Sequence, residues 1–216
     1  MIISFSGLDG AGKSTQIDLL VKRLEVEGKK TKYLWSRGGY TPMFNLMKDI
    51  LRKLRPQSVP KSGKSEKRSE AFKSPKVRKW WLRLAMIDLI LLYGVYIRWL
   101  NLLGYTVICD RYLKDTEIDF NLNFPMEKIG EWRLWKILNR LIPQPDVSFL
   151  FVIPVEESLR RSKLKNEPFP DSPEVLHQRL DTYMTMQKQN SNLVLMDGRK
   201  SIEELHKEVM NLCYQR

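Results

Sequence analysis

The chain has 216 residues, a formal net charge of +12, an apolar fraction of 43% and six tryptophans. This composition excludes a disordered chain and predicts one globular domain over residues 1–216. Two cysteines, Cys109 and Cys213, are too few for a disulfide framework or a four-cysteine zinc site, which fits a reducing cytoplasm. The N-terminus has no basic segment followed by an apolar one, so we expect no signal peptide.

A glycine-rich loop follows the first predicted strand, residues 2–6. Residues 7–14 read Gly-Leu-Asp-Gly-Ala-Gly-Lys-Ser and match the P-loop pattern without a gap. Such a loop surrounds phosphates with backbone N–H groups, and the following helix adds the positive end of its dipole. From a solvent-facing position, Lys13 would reach the β- and γ-phosphates of ATP, and the Ser14 hydroxyl would ligate Mg²⁺. The predicted ATP-binding residues are Gly7, Asp9, Gly10, Ala11, Gly12, Lys13, Ser14 and Thr15.

Helices and strands alternate after this loop: a helix is predicted over 17–24, a strand over 32–35 and a helix over 44–54. This alternation predicts an α/β fold in which helices flank a parallel sheet on both faces. Arg37 precedes a Gly-Gly pair at the end of the second strand, where it could hold an acceptor phosphate. A plain turn explains the same three residues equally well.

The positive charge is concentrated in residues 48–83, which contain thirteen Lys and Arg against three acidic residues. Within this stretch, residues 55–77 are rich in Pro, Ser, Lys and Arg and lack periodic apolar residues, so we predict a mobile insertion. The insertion is either a solvated basic loop or a contact for an anionic membrane surface. No base-stacking motif accompanies it, so we expect no nucleic-acid partner.

A long apolar helix is predicted over residues 81–103. Charged residues interrupt it, which favours a helix buried in the protein over a membrane span, and its apolar face is a candidate homodimer contact. A capping box at Ser201 and Glu204 begins the final amphipathic helix. The remaining buried strands are predicted over 105–109, 147–153 and 193–196.

Asp110, Arg111 and Tyr112 come directly after the predicted strand 105–109. At the carboxyl edge of a parallel sheet, Asp110 would hold Mg²⁺ or orient the acceptor hydroxyl, and Arg111 would neutralise acceptor or transition-state charge. A basic cluster after the strand 147–153 predicts a lid over 160–172 that closes on the triphosphate, although a basic helix surface explains it about as well. This cluster consists of Arg160, Arg161, Lys163 and Lys165.

The chain resembles the thymidylate kinase family of nucleoside monophosphate kinases, and the resemblance covers nearly its whole length. It rests on residues 4–15, on residues 107–112 and on the closing Met196-Asp197-Gly198. The start of the lid, residues 154–161, is also similar, with one extra residue. The resemblance implies phosphoryl transfer from ATP, with Mg²⁺, to a small acceptor that is a nucleoside monophosphate such as dTMP.

The resemblance also implies roles for single residues. Asp9 would contact the acceptor sugar hydroxyl, and Arg37 and Arg111 would bind the acceptor phosphate. Arg161 would contact the phosphoryl group in transfer. The catalytic candidates are therefore Lys13, Asp110, Arg111 and Arg161, and the metal candidates are Ser14 and Asp110. The acceptor-binding candidates are Asp9, Arg37, Leu89, Arg111 and Tyr112.

The acceptor half departs from the family pattern. The family usually carries Arg-Glu-Pro-Gly-Gly after the second strand, where residues 37–40 of this chain read Arg-Gly-Gly-Tyr. Leu89 and Leu91 occupy the positions of an Arg and a Gln that hold the nucleotide phosphate and the thymine edge. After Asp-Arg-Tyr, the usual Ser and Tyr-Gln are replaced by residues such as Asp115, Thr116, Phe120 and Asn121.

Three functions stay open at this point. The first is a nucleoside monophosphate kinase of the thymidylate type. The second is a P-loop kinase of the same ancestry acting on a lipid- or glycan-pathway intermediate, because leucines cannot read thymine through hydrogen bonds. The third is a regulatory nucleotide-binding module, against which the intact Lys13, Ser14 and Asp110 argue.

Overall fold

The computed structural model describes residues 1–36, 41, 44, 70, 72–165, 171–190 and 192–215. The chain divides into two compact units. The first unit comprises Met1–Ser36, Ile97–Ile118 and Gln144–Arg216, and the second comprises Arg37–Tyr96 and Asp119–Pro143. The sequence-based expectation of a single domain over the whole chain stays a prediction.

A parallel sheet of five strands forms the centre of the first unit, as far as the described residues go. Its strands are β1 (Ile2–Gly7), β2 (Thr31–Trp35), β3 (Thr106–Asp110), β4 (Val147–Val152) and β5 (Leu193–Asp197). They lie in the order β2-β3-β1-β4-β5. Phe5 of β1 pairs with Asp110 of β3, so the carboxyl ends of these two strands meet at one edge of the sheet. The P-loop leaves β1 at this edge, which is where parallel sheets place their ligands.

Helices connect and flank the strands, which confirms the predicted α/β fold with a parallel sheet. They are α1 (Lys13–Val26), α2 (Pro75–Leu89), α3 (Ile97–Leu102), α4 (Leu113–Asn123), α5 (Arg133–Leu141), α6 (Val155–Leu164), α7 (Pro173–Gln189) and α8 (Ile202–Tyr214). A π-helix, Ile90–Tyr96, lies between α2 and α3, and short 3₁₀ helices span Pro125–Glu127 and Ile129–Glu131.

The ends of the helices follow from local chemistry. Gly28 adopts a φ of +75°, which an L side chain rarely takes, and this left-handed residue lies just past the end of α1. Ser201 and Glu204 form the predicted capping box at the start of α8, with both reciprocal hydrogen bonds present. The predicted capping box is therefore confirmed.

The core of the first unit is built on the apolar faces of its strands. The Phe5 ring lies 5.1 Å from the Phe149 ring and 5.8 Å from the Phe151 ring, so β1 and β4 are joined by aromatic contacts as well as by hydrogen bonds. Cys109 is buried on β3 and burial raises the pKa of its thiol, so it is a structural core residue.

The second unit contains α2, which begins at Pro75, six residues before the predicted start at Trp81. Proline at the first helical positions is favourable because its missing N–H would have no helical partner there. Trp81 packs on aromatic rings, with the Phe44 ring at 5.6 Å, the Phe72 ring at 5.6 Å and the Phe124 ring at 5.5 Å. Phe72 and residues 75–77 fall within the insertion predicted over 55–77, so the described end of that segment is packed on aromatic rings and partly helical.

The π-helix lies in the middle of a long helix that buries one face. Ala85, Leu89, Tyr93 and Ile97 are all fully buried and recur every four residues, a spacing that places their side chains on the same face of a helix. The helix over Pro75–Leu102 is long and apolar enough to cross a membrane by length and composition, and 39% of its most apolar window is buried. A core helix of a water-soluble protein meets the same criterion.

Two sequence predictions lie largely outside the described residues. The helix predicted over 44–54 is represented only by Phe44, and the insertion predicted over 55–77 only by Glu70 and residues 72–77. Of the lid predicted over 160–172, residues 160–165, 171 and 172 are described.

Candidate active site

The P-loop leaves β1 at Gly7, whose φ is +124°. A side chain at this position would place its Cβ 1.9 Å from the Phe151 carbonyl oxygen, so the close approach of β4 requires glycine. The loop then enters α1 through Gly12, which precedes the first helical residue with a φ of +95°. The N–H groups at the start of α1 are thereby directed at the loop, as phosphate binding requires.

Lys13 is buried, with 7% of its side chain exposed, so the prediction that it faces solvent is wrong. Its Nζ donates hydrogen bonds to the carbonyl oxygens of Gly7 at 3.0 Å and Leu8 at 2.6 Å. Burial and the neighbouring Arg111 lower the pKa of Lys13 to about 8. The curvature of the loop explains this position, because it turns two carbonyls toward the ammonium group.

A cavity of about 180 Å³ opens beside the loop and brings together most of the predicted ATP-binding and catalytic residues. Its lining residues are Asp9, Gly10, Ala11, Gly12, Lys13, Ser14, Thr15, Trp35, Asp110, Arg111 and Lys165. Trp35, at the end of β2, was not singled out from the sequence as a site residue. Its position two residues before Arg37, at the end of a predicted strand, is the signal that could have identified it.

Asp110 ends β3 and is buried, with 7% of the residue exposed. The Tyr33 hydroxyl donates a hydrogen bond of 3.1 Å to its Oδ2. Burial raises the pKa of Asp110, while Lys13, Arg111 and the Tyr33 hydroxyl act in the opposite direction. This carboxylate therefore lines the cavity near two cations, and its role in holding Mg²⁺ or orienting the acceptor stays a prediction.

Arg111 adopts a left-handed backbone conformation, with a φ of +73°, which is uncommon outside glycine. Its N–H donates to the Phe5 carbonyl at 2.8 Å, and this bond stabilises the unusual turn after β3. Its Nη2 donates to Asp9 Oδ1 at 2.5 Å, and its Nη1 lies 3.8 Å from Asp115 Oδ1. The turn thus directs the guanidinium at the P-loop, where the sequence predicted an anion-binding group.

Arg161, on α6, contacts the backbone around the P-loop. Its Nη1 donates to the carbonyls of Gly10 at 2.9 Å and Gly198 at 3.2 Å, and its Nε donates to Glu157 at 2.6 Å. The Gly198 backbone packs on the loop so closely that a Cβ there would lie 2.6 Å from the Ala11 carbonyl oxygen. The contact of Arg161 with a transferred phosphoryl group stays a prediction.

The remaining candidates are placed as follows. Tyr112 is buried after β3, and its N–H donates to Asp115 Oδ2 at 2.9 Å. Leu89 is fully buried on α2 in the second unit, and Leu91 is 42% exposed. Arg37 lies outside the described residues. The acceptor roles of these residues stay predictions.

Two oxygen donors on the cavity wall could hold a hard cation: the Ser14 hydroxyl and the Asp110 carboxylate. Across the described ranges, no group of three or more His, Cys, Asp or Glu could enclose a metal ion. Mg²⁺ retains several waters and binds through one or two protein oxygens plus substrate phosphates, so this donor set suits a cation that arrives with a nucleotide.

Comparison with known proteins agrees with this geometry. The family model for thymidylate kinase matches residues 5–209. A thymidylate kinase of Fervidobacterium nodosum is 29% identical, over 98% of this chain and 98% of its own length. A probable thymidylate kinase of Methanocaldococcus jannaschii is 27% identical, over 97% of this chain and 94% of its own length.

A similar fold occurs in the structure of deoxyadenosine kinase from M. mycoides with the products dCMP and a flexible dCDP bound. Its TM-score to this chain is 0.62 over the full length of both chains, and the sequences are 16% identical, so this likeness concerns the fold alone. The family match, by contrast, covers nearly the whole chain, including the P-loop lysine and the Asp-Arg-Tyr motif. The chain belongs to the thymidylate kinase family.

Proposed function

We propose that this protein is a cytoplasmic, ATP-dependent kinase that transfers the γ-phosphoryl group of ATP to a nucleoside monophosphate such as dTMP. The observation that supports this most strongly is a cavity whose wall brings together the P-loop, Lys13, Asp110 and Arg111. It combines donors for a triphosphate with a carboxylate and a guanidinium on the acceptor side, and the relatives named above carry the thymidylate kinase name.

In the proposed reaction, the P-loop N–H groups and Lys13 bind the phosphates of ATP. Lys13 exchanges its carbonyl partners, Gly7 and Leu8, for phosphate oxygens as charge develops on them. Arg111 holds the acceptor phosphate, whose oxygen attacks the γ-phosphorus while the bond to the β–γ bridging oxygen breaks and ADP leaves. Bound Mg²⁺, held by Ser14 and Asp110, would neutralise charge on the phosphates.

A coupled assay of ADP release with dTMP as the acceptor tests this proposal. We expect a kcat/KM for dTMP in the ordinary efficient range, about 10⁴ M⁻¹s⁻¹ or more. Omission of dTMP gives the background of ATP hydrolysis, and a Lys13→Met variant controls for contaminating kinases. Folded, ATP-binding protein with a dTMP rate equal to that background would contradict the nucleotide part of the proposal.

A second candidate is transfer to a non-nucleotide acceptor, an intermediate of a lipid or glycan pathway. It is favoured by Leu89 and Leu91 at the positions of the family's phosphate- and thymine-reading Arg and Gln, since leucine offers neither a charge nor a hydrogen bond. The same ADP-release assay over sugars and lipid-pathway alcohols decides between the two. Turnover of one of these at a kcat/KM well above that of dTMP favours the second candidate.

Partners beyond ATP and the acceptor also stay predictions. The apolar helix 81–103 is the proposed homodimer contact, and the basic insertion is the proposed contact for an anionic membrane surface. Light scattering tests the first, and co-sedimentation with vesicles containing phosphatidylserine tests the second, with neutral vesicles as the control.

A further inference from the structure

Asp115 is a buried carboxylate whose Oδ1 lies 3.8 Å from Nη1 of the Arg111 guanidinium. We propose that Asp115 is a positioning residue: it fixes the orientation of Arg111 toward the cavity, and Tyr183 and Ser6 fix Asp115 in turn. The expected effect on acceptor binding rests on the proposed function, in which Arg111 binds the acceptor phosphate. The orientation of Arg111 by Asp115 does not depend on the proposed function.

Asp115 is held by donors from separate parts of the first unit. Its Oδ2 accepts a hydrogen bond from the Ser6 hydroxyl at 2.6 Å and from the Tyr112 N–H at 2.9 Å. Its Oδ1 accepts from the Tyr183 hydroxyl at 2.5 Å. With 1% of the residue exposed, such a carboxylate has little freedom to rotate, because any other orientation would leave buried polar groups without partners.

These contacts connect elements that are remote in sequence. Ser6 lies on β1 directly before the P-loop, Asp115 lies in the first turn of α4, and Tyr183 lies on α7, which follows the predicted lid. Tyr183 is fully buried, and burial followed by the Asp115 charge raises its pKa well above the usual range. Its hydroxyl is therefore a stable donor to Asp115 at any pH at which the enzyme would be assayed.

The Arg111 guanidinium lies between two carboxylates of different character. Asp115 is buried, whereas the Asp9 side chain is 36% exposed and lines the cavity. An arriving anion can compete with Asp9 for the guanidinium, but it cannot displace the buried Asp115. Asp115 is therefore suited to hold one end of the guanidinium while the other end binds a ligand.

Three variants test the proposal. Asp115→Asn removes the charge at nearly constant shape, and Tyr183→Phe removes one donor to Asp115. Thr116→Val is the matched control, because the Thr116 hydroxyl is buried on the same helix and has no hydrogen-bond partner among the described residues. We expect the KM for dTMP to rise about tenfold in Asp115→Asn and about threefold in Tyr183→Phe, with the KM for ATP within twofold of the wild type. Thr116→Val should change neither.

The double variant Asp115→Asn with Tyr183→Phe should have the same KM for dTMP as Asp115→Asn alone, because Tyr183 acts through Asp115. A purely structural role would instead lower the melting temperature and leave the ratio of the two KM values unchanged. If Asp115→Asn does not fold, the ratio of the KM for dTMP to the KM for ATP is measured in Tyr183→Phe instead. A ratio equal to that of the wild type overturns the proposal.

A second readout needs no acceptor. In protein labelled with ¹⁵N-arginine, the guanidinium Nη–H signals of Arg111 are assigned by their loss in Arg111→Lys. We expect their exchange with water to be slow in the wild type and in Thr116→Val, and at least tenfold faster in Asp115→Asn, because Nη1 is the nitrogen that lies against Asp115. Failure of dTMP turnover would thus remove the proposed substrate without touching this result. Unchanged exchange in Asp115→Asn would overturn the positioning role.

Discussion

The P-loop, residues 7–14, and the long helix Pro75–Leu102 differ in how closely they follow the family pattern. The loop matches without a gap, and its backbone, its lysine and its neighbours Asp110 and Arg111 surround one cavity. In the helix, the family resemblance implies an Arg and a Gln where this chain has Leu89 and Leu91, and residues 90–96 form a π-helix.

This difference has a physical origin. A triphosphate is recognised by backbone N–H groups and a few charges, so the loop that binds it has little freedom to vary. An acceptor is recognised by side chains that match its own hydrogen-bonding groups, and these change when the acceptor changes. The donor region therefore indicates the reaction, whereas the acceptor region determines the substrate.

Replacement of Lys13 should have the largest effect of any single change. We expect Lys13→Met to lower kcat about 10²- to 10³-fold, because it removes a positive charge from the phosphates in transfer. A methionine fills the same buried space, so the far-ultraviolet circular dichroism spectrum should be unchanged. A folded Lys13→Met protein with wild-type kcat would contradict the donor-site assignment.

Asp110→Asn should lower kcat about 10²-fold with a smaller change in ATP affinity, because the ionised carboxylate positions Mg²⁺ or the acceptor. Burial raises the pKa of Asp110, so the ionised form is lost as the pH falls, at a higher pH than for a free aspartate. The rate should therefore fall on the acidic side as Asp110 becomes protonated.

Tyr33→Phe is the matched variant for this pH dependence. The Tyr33 hydrogen bond opposes the rise in the pKa of Asp110, so its removal should move the acidic limb of the pH–rate profile to higher pH. A limb caused by protonation of the acceptor phosphate would not move. An unshifted limb in Tyr33→Phe would mean that Asp110 does not control it.

Leu89 and Leu91 separate a packing role from an acceptor role. Leu89 is fully buried and Leu91 is 42% exposed. We expect Leu89→Ala to lower the free energy of unfolding by about 2–5 kcal/mol and Leu91→Ala to change it by less than about 0.5 kcal/mol. Urea denaturation measures both. A Leu89→Ala protein of wild-type stability with an altered KM for the acceptor would instead place Leu89 in the acceptor site.

The sequence predicted those parts of the fold and site that depend on contiguous residues. The P-loop pattern and the Ser201 capping box are local, and both are found where expected. The five strands were predicted from short local runs of residues, with boundaries that differ by a residue or two. Such elements need no knowledge of distant parts of the chain.

What the sequence did not predict depends on distant contacts or on exact backbone paths. Tyr183 binds a carboxylate 68 residues earlier in the chain, and no periodic signal marks its hydroxyl. The burial of Lys13 depends on where the loop directs the Gly7 and Leu8 carbonyls. The π-helix over residues 90–96 depends on the exact backbone path, and the apolar pattern of the sequence does not distinguish it from an α-helix.

Arg161 and Arg160 offer the smallest and most specific test of the donor region. Both contact Glu157, but Arg161 also binds the carbonyls of Gly10 and Gly198, whereas the Arg160 side chain is 63% exposed. A charged donor to a carbonyl contributes about 1.5 kcal/mol, which corresponds to about a tenfold change in an equilibrium constant. We therefore expect Arg161→Gln to weaken ATP binding up to about tenfold, because the hydrogen bonds from Arg161 to the Gly10 and Gly198 carbonyls are lost. Isothermal titration calorimetry measures this affinity. Arg160→Gln should leave the ATP affinity unchanged, because it changes the net charge by the same amount without touching the loop.

If both variants weakened ATP binding equally, the cause would be the overall charge and not the contact between Arg161 and Gly10. If Arg161→Gln lowered kcat by orders of magnitude at unchanged ATP affinity, the arginine would act on the transferred phosphoryl group, as the family resemblance implies.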